Sequence, residues 1–191
     1  MMRFRKLCGE CAVTRAEAVE AIVVECLAQG VTQPEQIAYV LATAEHETGG
    51  TMLPNIEAGY LKNPLRYLRK LRYYPYYGRG LAHLTWRGNY LKYERLLGLP
   101  LVANPELALR FDVAAFILVH GMRTGEFTGK KLSDYINLLH VDLINARRIV
   151  NGVRRGQRLP DKAEHIATLA RHWLPSVRLR IEELDRHAVE A

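Results

Sequence analysis

Three glutamates, Glu45, Glu47 and Glu57, lie in the stretch YVLATAEHETGGTMLPNIEAGY between Tyr39 and Tyr60. The first two close an apolar helical pattern, and the third comes after a Gly49-Gly50 break and Pro54. Two carboxylates on separate elements are the equipment for glycoside hydrolysis, one protonating the leaving oxygen and one activating water. Spacing alone fits two solvated surface glutamates as well. With Ile37 as zero and about 100° per residue, Glu47 falls beside Val40 at one edge of the apolar stripe, Glu45 at the other edge and His46 opposite. Only one of Glu45 and Glu47 can therefore serve a given cleft from a regular helix. Glu47 also occupies the last helical turn, where the dipole disfavours an ionised carboxylate by ~0.3–1 kcal/mol. Partial burial adds to this, so a raised pKa suited to a general acid is expected there.

The elements around these residues read as helices. Thr14 and Glu17 have capping-box spacing ahead of Val19, Ile22, Val23 and Cys26, with Gly30 as a stop. Thr32 and Glu35 repeat it, with Pro34 in the first turn, ahead of Ile37, Val40, Leu41 and Ala44. Periodicity disappears from Thr51 to Trp86, which predicts a long irregular segment that its tyrosines (Tyr60, Tyr67, Tyr73, Tyr74, Tyr76, Tyr77) keep ordered. A helix follows at Tyr90 to Leu97, stopped by Gly98. Another starts at Asn104-Pro105-Glu106 and runs through LALRFDVAAFILVHGM, apolar nearly all round at its end. LSDYINLL and VDLINARRIVNG look helical. Asp161 and Glu164 form a third box, and Pro175 should bend or restart the C-terminal helix. There is no repeat and no convincing strand pattern, so the expected fold is a mainly α single domain over residues 1–191.

The two segments AEHETGGTMLPNIE and YYGRGLAHLTWRGNY, in that order and with their linking spacing, resemble the glycoside hydrolase family 19 fold, which includes plant chitinases and phage endolysins. The likeness runs from about Ala38 to Asn104, and ARRIVNG is similar to a later Asn-Gly segment of the family. It implies a helix-rich, lysozyme-like domain with a substrate cleft between two lobes. By position, Glu47 matches the general acid and Glu57 the general base, Thr85 the residue that helps place the nucleophilic water, and Asn89 and Asn151 sugar-binding asparagines. The family inverts configuration, which implies carboxyl groups roughly 6.5–9.5 Å apart with water between them.

Two positions depart from the family pattern. His83 stands where Gln is usual, and Glu45 where a neutral or basic residue is expected. Arg79 either helps hold the acidic pair or makes a structural salt bridge elsewhere. Gly78 and Gly80 permit tight turns. Tyr76, Tyr77 and Trp86 either stack on sugar rings or pack in the core and loops. Tyr77, Arg79, His83 and Trp86 thus join the asparagines as candidate substrate-binding residues. HETGG is not the zinc-binding H-E-x-x-H, because position 50 is Gly. No metal or cofactor is assigned.

The balance of 27 Lys+Arg against 20 Asp+Glu gives +7, which favours a polyanionic partner. Cys8, Cys11 and Cys26 are too few and too unpaired for a disulfide framework or a C-x-x-C zinc site. VAAFILV is too short to span a membrane, and no signal-peptide h-region follows the basic start, so no stable membrane insertion and a cytoplasmic origin are expected. The cysteine-poor, basic chain resembles the endolysins more than the plant chitinases, with Arg147, Arg148, Arg154, Arg155, Arg158, Arg171, Arg178 and Arg180 suited to an anionic envelope. The expected partner is bacterial peptidoglycan, reached by a monomer released through a separate holin-type pore. A chitinase is the alternative, and a basic binding module the rival from another class. No nucleic-acid-binding signature supports the latter.

Overall fold

The computed structural model of the chain describes residues 13–152 and 162–189, with side chains through Arg186. Its fold is mainly helical. The chain divides into two compact units, one of Met1–Ala21 with Glu47–Leu118, the other of Ile22–His46 with Val119–Ala191. No helix among the described residues is long and apolar enough to cross a membrane.

Helix α1 (Arg15–Ala28) begins where its cap dictates. The Thr14 N–H donates to Glu17 Oε2 at 2.8 Å and the Glu17 N–H to Thr14 Oγ1 at 3.2 Å, the two reciprocal bonds of a capping box. Helix α2 (Pro34–Glu47) starts one residue later than the Thr32/Glu35 spacing suggests. The Gln33 carbonyl accepts from Gln36 and Ile37, and Glu35 is taken up instead by Arg178 at 2.7 Å.

The first unit holds the segment expected to be irregular. It contains strand β1 (Asn55–Ile56), the short helix α3 (Pro64–Leu68) and strand β2 (Arg79–Gly80). The strands pair antiparallel, Asn55 opposite Gly80 and Ile56 opposite Arg79. Two-residue strands are too short to leave an alternating pattern, which is why the sequence shows none. Helix α4 (Arg87–Leu97) ends at Gly98 in the left-handed conformation, its N–H returned to the Glu94 carbonyl. The helix expected to run on from Asn104 is interrupted. Pro105–Leu109 is a 3₁₀ turn, Arg110 is extended, and α5 (Phe111–Thr124) starts afresh. Met52, Leu68, Leu81, Leu84, Tyr90, Tyr93, Leu101, Val113 and Ile117 form this unit's core.

In the second unit, the expected helix over LSDYINLL shrinks to α6 (Leu132–Tyr135) followed by a hairpin, β3 (Ile136–Asn137) with β4 (His140–Val141). The Asn137 side-chain oxygen accepts the N–H groups of Leu139 and His140, closing a turn that competes with helix. In the same way Asp142 receives Asn145, and the next segment is only a 3₁₀ turn, Asn145–Ile149. Asp161 of the third box lies outside the described residues. Helix α7 (Ala163–Val189) runs through Pro175 without restarting. Arg171 and Pro175 are both exposed, so water can reach the carbonyl that the missing N–H leaves open. Cys26 is buried and free, and burial pushes its thiol up, as fits a small core residue. Cys8 and Cys11 lie outside the described residues.

Candidate active site

Glu47 is the last residue of α2 and belongs to the first unit, as do all the groups around it named here. Gly49 and Gly50, at φ +62° and +89°, then reverse the chain, and the Thr48 hydroxyl receives the Met52 N–H at 2.9 Å. The turn delivers β1, with Glu57 just beyond it.

Glu57 is fixed to the second motif through Gly78. Its N–H donates to the Gly78 carbonyl and its Oε1 accepts the Gly78 N–H, both at 2.8 Å. Its other oxygen accepts the Tyr73 hydroxyl at 3.3 Å. Burial first, then the neighbouring Glu57 charge, raises the Tyr73 phenol, so it stays a donor. A Cβ on Gly78 would lie 2.9 Å from His83 Cβ and 3.2 Å from Glu57 Cβ. Close approach of the His83 and Glu57 side chains, rather than the tight turn expected, is what requires glycine there.

His83 bridges the carboxylates' surroundings. Its Nε2 lies 2.7 Å from Asn55 Oδ1 and its Nδ1 3.6 Å from Glu47 Oε2. With Nε2 engaged by Asn55, Nδ1 is the ring nitrogen that faces Glu47. The Glu47 side chain is 16% exposed, enough for a substrate oxygen to reach it. His83, in place of the usual Gln, sits at φ +50°, and Met52, Ala58 and Trp86 in the same unit are also left-handed. Such backbone is costly for side chains with a Cβ and gathers at functional sites.

The Thr85 hydroxyl donates to the His83 carbonyl at 2.7 Å, and Asn89 Nδ2 to the Thr85 carbonyl at 2.8 Å. Thr85 Oγ1 thus keeps its lone pairs for a donor such as water. Asn89 lies in the first turn of α4, which ties Thr85 to a helix.

Arg79 does not hold the acidic pair. Its guanidinium donates to Glu106 at 2.7 and 3.0 Å, to the Pro75 and Tyr77 carbonyls and to the Tyr90 hydroxyl, and lies 3.5 Å above the Tyr77 ring. The structural salt bridge is therefore its place, and Tyr77, buried beneath it, packs rather than lining a sugar site. Tyr76 packs on Tyr90. Trp86 is 43% exposed, beside Tyr73. In the other unit, Glu45 accepts the Trp173 indole N–H at 2.7 Å and His46 meets His165 edge to face. Asn151 is exposed there, its N–H on the Arg147 carbonyl. Of the arginines thought to face an envelope, Arg147 is buried, Arg178 pairs with Glu35 and Arg180 with Glu183, while Arg154, Arg155 and Arg158 lie outside the described residues.

Asn55, Tyr73 and Gly78 were not among the expected site residues. The i, i+2 spacing of Asn55 and Glu57 was the available signal, since it puts both on one side of a strand.

No family model matches the chain. Chitinase C from Streptomyces griseus HUT6037 has a similar fold, with a TM-score of 0.56 and 18% identity over 89% of this chain and 78% of that one. A bacterial family 19 chitinase aligns with the same TM-score and identity over 87% and 88%. Two endochitinases of Arabidopsis thaliana are 34% and 33% identical over 95 and 89 residues, 46% of this chain. Those matches span about a third of the curated relatives' length, 32% and 31%. The fold is that of these chitinases, and the matched stretch of sequence is similar to the two endochitinases.

Proposed function

We propose that the chain is a glycoside hydrolase of β-1,4-linked amino-sugar polymers, working by single displacement with inversion. The observation that carries this is the pair of carboxylates on two elements, Glu47 ending α2 and Glu57 held on Gly78, with His83 packed against Gly78 and facing Glu47. Glu47 gives its proton to the leaving glycosidic oxygen, and the α2 carbonyls beside it favour that protonated form. Glu57, which accepts two donors, takes a proton from water while Thr85 Oγ1 accepts that water's second hydrogen. Water adds at the anomeric carbon as the C–O bond breaks, and Asn89 is assigned to a sugar hydroxyl.

In the finer reading the polymer is bacterial peptidoglycan and the chain is a monomeric endolysin, reaching the wall through a separate pore. The +7 net charge supports an acidic wall polymer. A chitinase is the second reading, favoured by the relatives' own descriptions as endochitinases and chitinases. Assays on purified cell walls and on chitin with Glu47→Gln test the common part. A loss of about 10²–10⁴-fold with an unchanged fold is expected on whichever polymer is cut; undiminished hydrolysis sinks the assignment. Mass spectrometry of the new reducing sugar then separates muramidase, glucosaminidase and chitinase.

A further inference from the structure

We propose that Arg72, pinned on the indole of Trp86, is a receptor for a carboxylate carried by the substrate beside the base, so that the site prefers an acid-substituted amino-sugar strand to a neutral one. The proposal rests on Glu57 being the base and gives that site a substrate class.

Four observations converge. Arg72 Cζ lies 5.0 Å from the centroid of the Trp86 ring, within cation–π range. Arg72 is exposed, and among the described residues it has no carboxylate partner. Trp86 in turn packs at 4.9 Å on Tyr73, whose hydroxyl bonds Glu57. The guanidinium is thus two side chains away from the base. Finally, Trp86 is held at φ +75° by its N–H on the Tyr76 carbonyl at 2.9 Å, while its own carbonyl accepts the Asn89 N–H at 3.0 Å. A strained backbone that leaves a tryptophan outside, under an arginine, is one that the surrounding contacts impose.

An indole-backed guanidinium keeps its N–H fork free for a planar anion, and carboxylate is the geometry that fork fits. Chitin offers none. A strand bearing 3-O-lactyl ethers does, either as the free lactyl carboxylate or through the carboxylates of a peptide joined to it. The shared chemistry is a carboxylate hung from the sugar's C3 oxygen.

The test compares wild type, Arg72→Gln and Arg95→Gln on three substrates: purified sacculi, glycan strands stripped of peptide by an amidase, and a neutral chitooligosaccharide. Arg95 is exposed in the last turn of α4 and controls for general charge. Arg72→Gln is expected to lower kcat/KM about fivefold on at least one acidic substrate, the size of a charge-assisted contact at an exposed site, and to leave the chitooligosaccharide rate unchanged. Loss on stripped strands identifies the lactyl carboxylate; loss on sacculi alone identifies the stem peptide. Arg72→Lys, which keeps charge but not the fork, is expected to recover only part of the loss. An equal change on all three substrates, no change on any, or the same loss in Arg95→Gln overturns the proposal. Were folded wild-type protein to cut none of the three, the hydrolase reading would fall instead. Calorimetric titration with stripped strands would then decide: weaker binding by Arg72→Gln supports the receptor, and equal binding overturns it.

Discussion

Within one short motif, Tyr77 to Tyr90, two neighbouring sets of residues do opposite work. Arg79, Tyr77 and Tyr90 form a closed cluster in which the guanidinium reaches four different residues and the Tyr90 hydroxyl donates to the Tyr77 carbonyl at 2.9 Å. Burial pushes the Tyr90 phenol up to about 12, which keeps it a donor across the working pH range. Gly78, His83 and Thr85 are instead only partly occupied among themselves, and the groups they hold, Glu47 and Glu57, remain reachable. Arg79 is structural, and Gly78, which has no side chain, positions Glu57. Charge alone is thus a poor guide to which motif residues meet substrate; the pairing each charge already has is the better one.

Variants that separate the two sets sharpen this contrast. The largest effect is expected from Glu57→Gln, which keeps an oxygen for the Gly78 N–H but cannot take a proton. Hydrolysis should fall about 10²–10⁴-fold with a melting temperature close to wild type. Arg79→Met should do the reverse, taking the guanidinium donors from Glu106, the Pro75 carbonyl and the Tyr90 hydroxyl, while the Tyr77 carbonyl keeps only the Tyr90 hydroxyl. A loss of about 3 kcal/mol is expected, read as a Tm lower by about 6–12 °C, with activity per folded molecule nearly retained. Gly78→Ala falls between, because its methyl meets His83 and Glu57 together. It should cost about 1–3 kcal/mol of stability and at least tenfold in kcat, since small misplacements of reacting groups are expensive.

The smallest effect lies in the other unit, at Glu35. Burial would raise this carboxyl, but the hydrogen bond and charge of Arg178 hold it below its ordinary value. A depressed folded-state pKa gives stability that is present above the unfolded value of about 4.3 and is lost as pH falls through the folded one. Arg178 is exposed, so the contribution is under about 1 kcal/mol. Denaturation midpoints of Glu35→Gln should therefore lie slightly below wild type at pH 7 and coincide with it near pH 2; an equal gap at both would count against the pairing.

What the sequence makes legible here is local. The Thr14–Glu17 box, the Gly98 stop and the placement of Glu47 at a helix end with Glu57 past a glycine break all follow from rules that act over a few residues. Contacts between distant positions were not readable in that way. Arg79 finds Glu106 27 residues on, and Glu45 finds Trp173 128 residues on. The Asn137 and Asp142 turns were missed because apolar spacing looks the same in a short helix as in a hairpin with exposed leucines, and a single side-chain oxygen decides between them.

The central claim is that Glu47 acts as acid on the leaving oxygen and Glu57 as base on the attacking water, without a covalent sugar intermediate. Proton NMR of a soluble β-linked chitooligosaccharide or muropeptide in the first minutes of hydrolysis, before mutarotation, tests it most directly. The α-anomer should be the new reducing end seen first; initial appearance of the β-anomer would mean retention and would contradict the assignment of Glu57 as a base toward water.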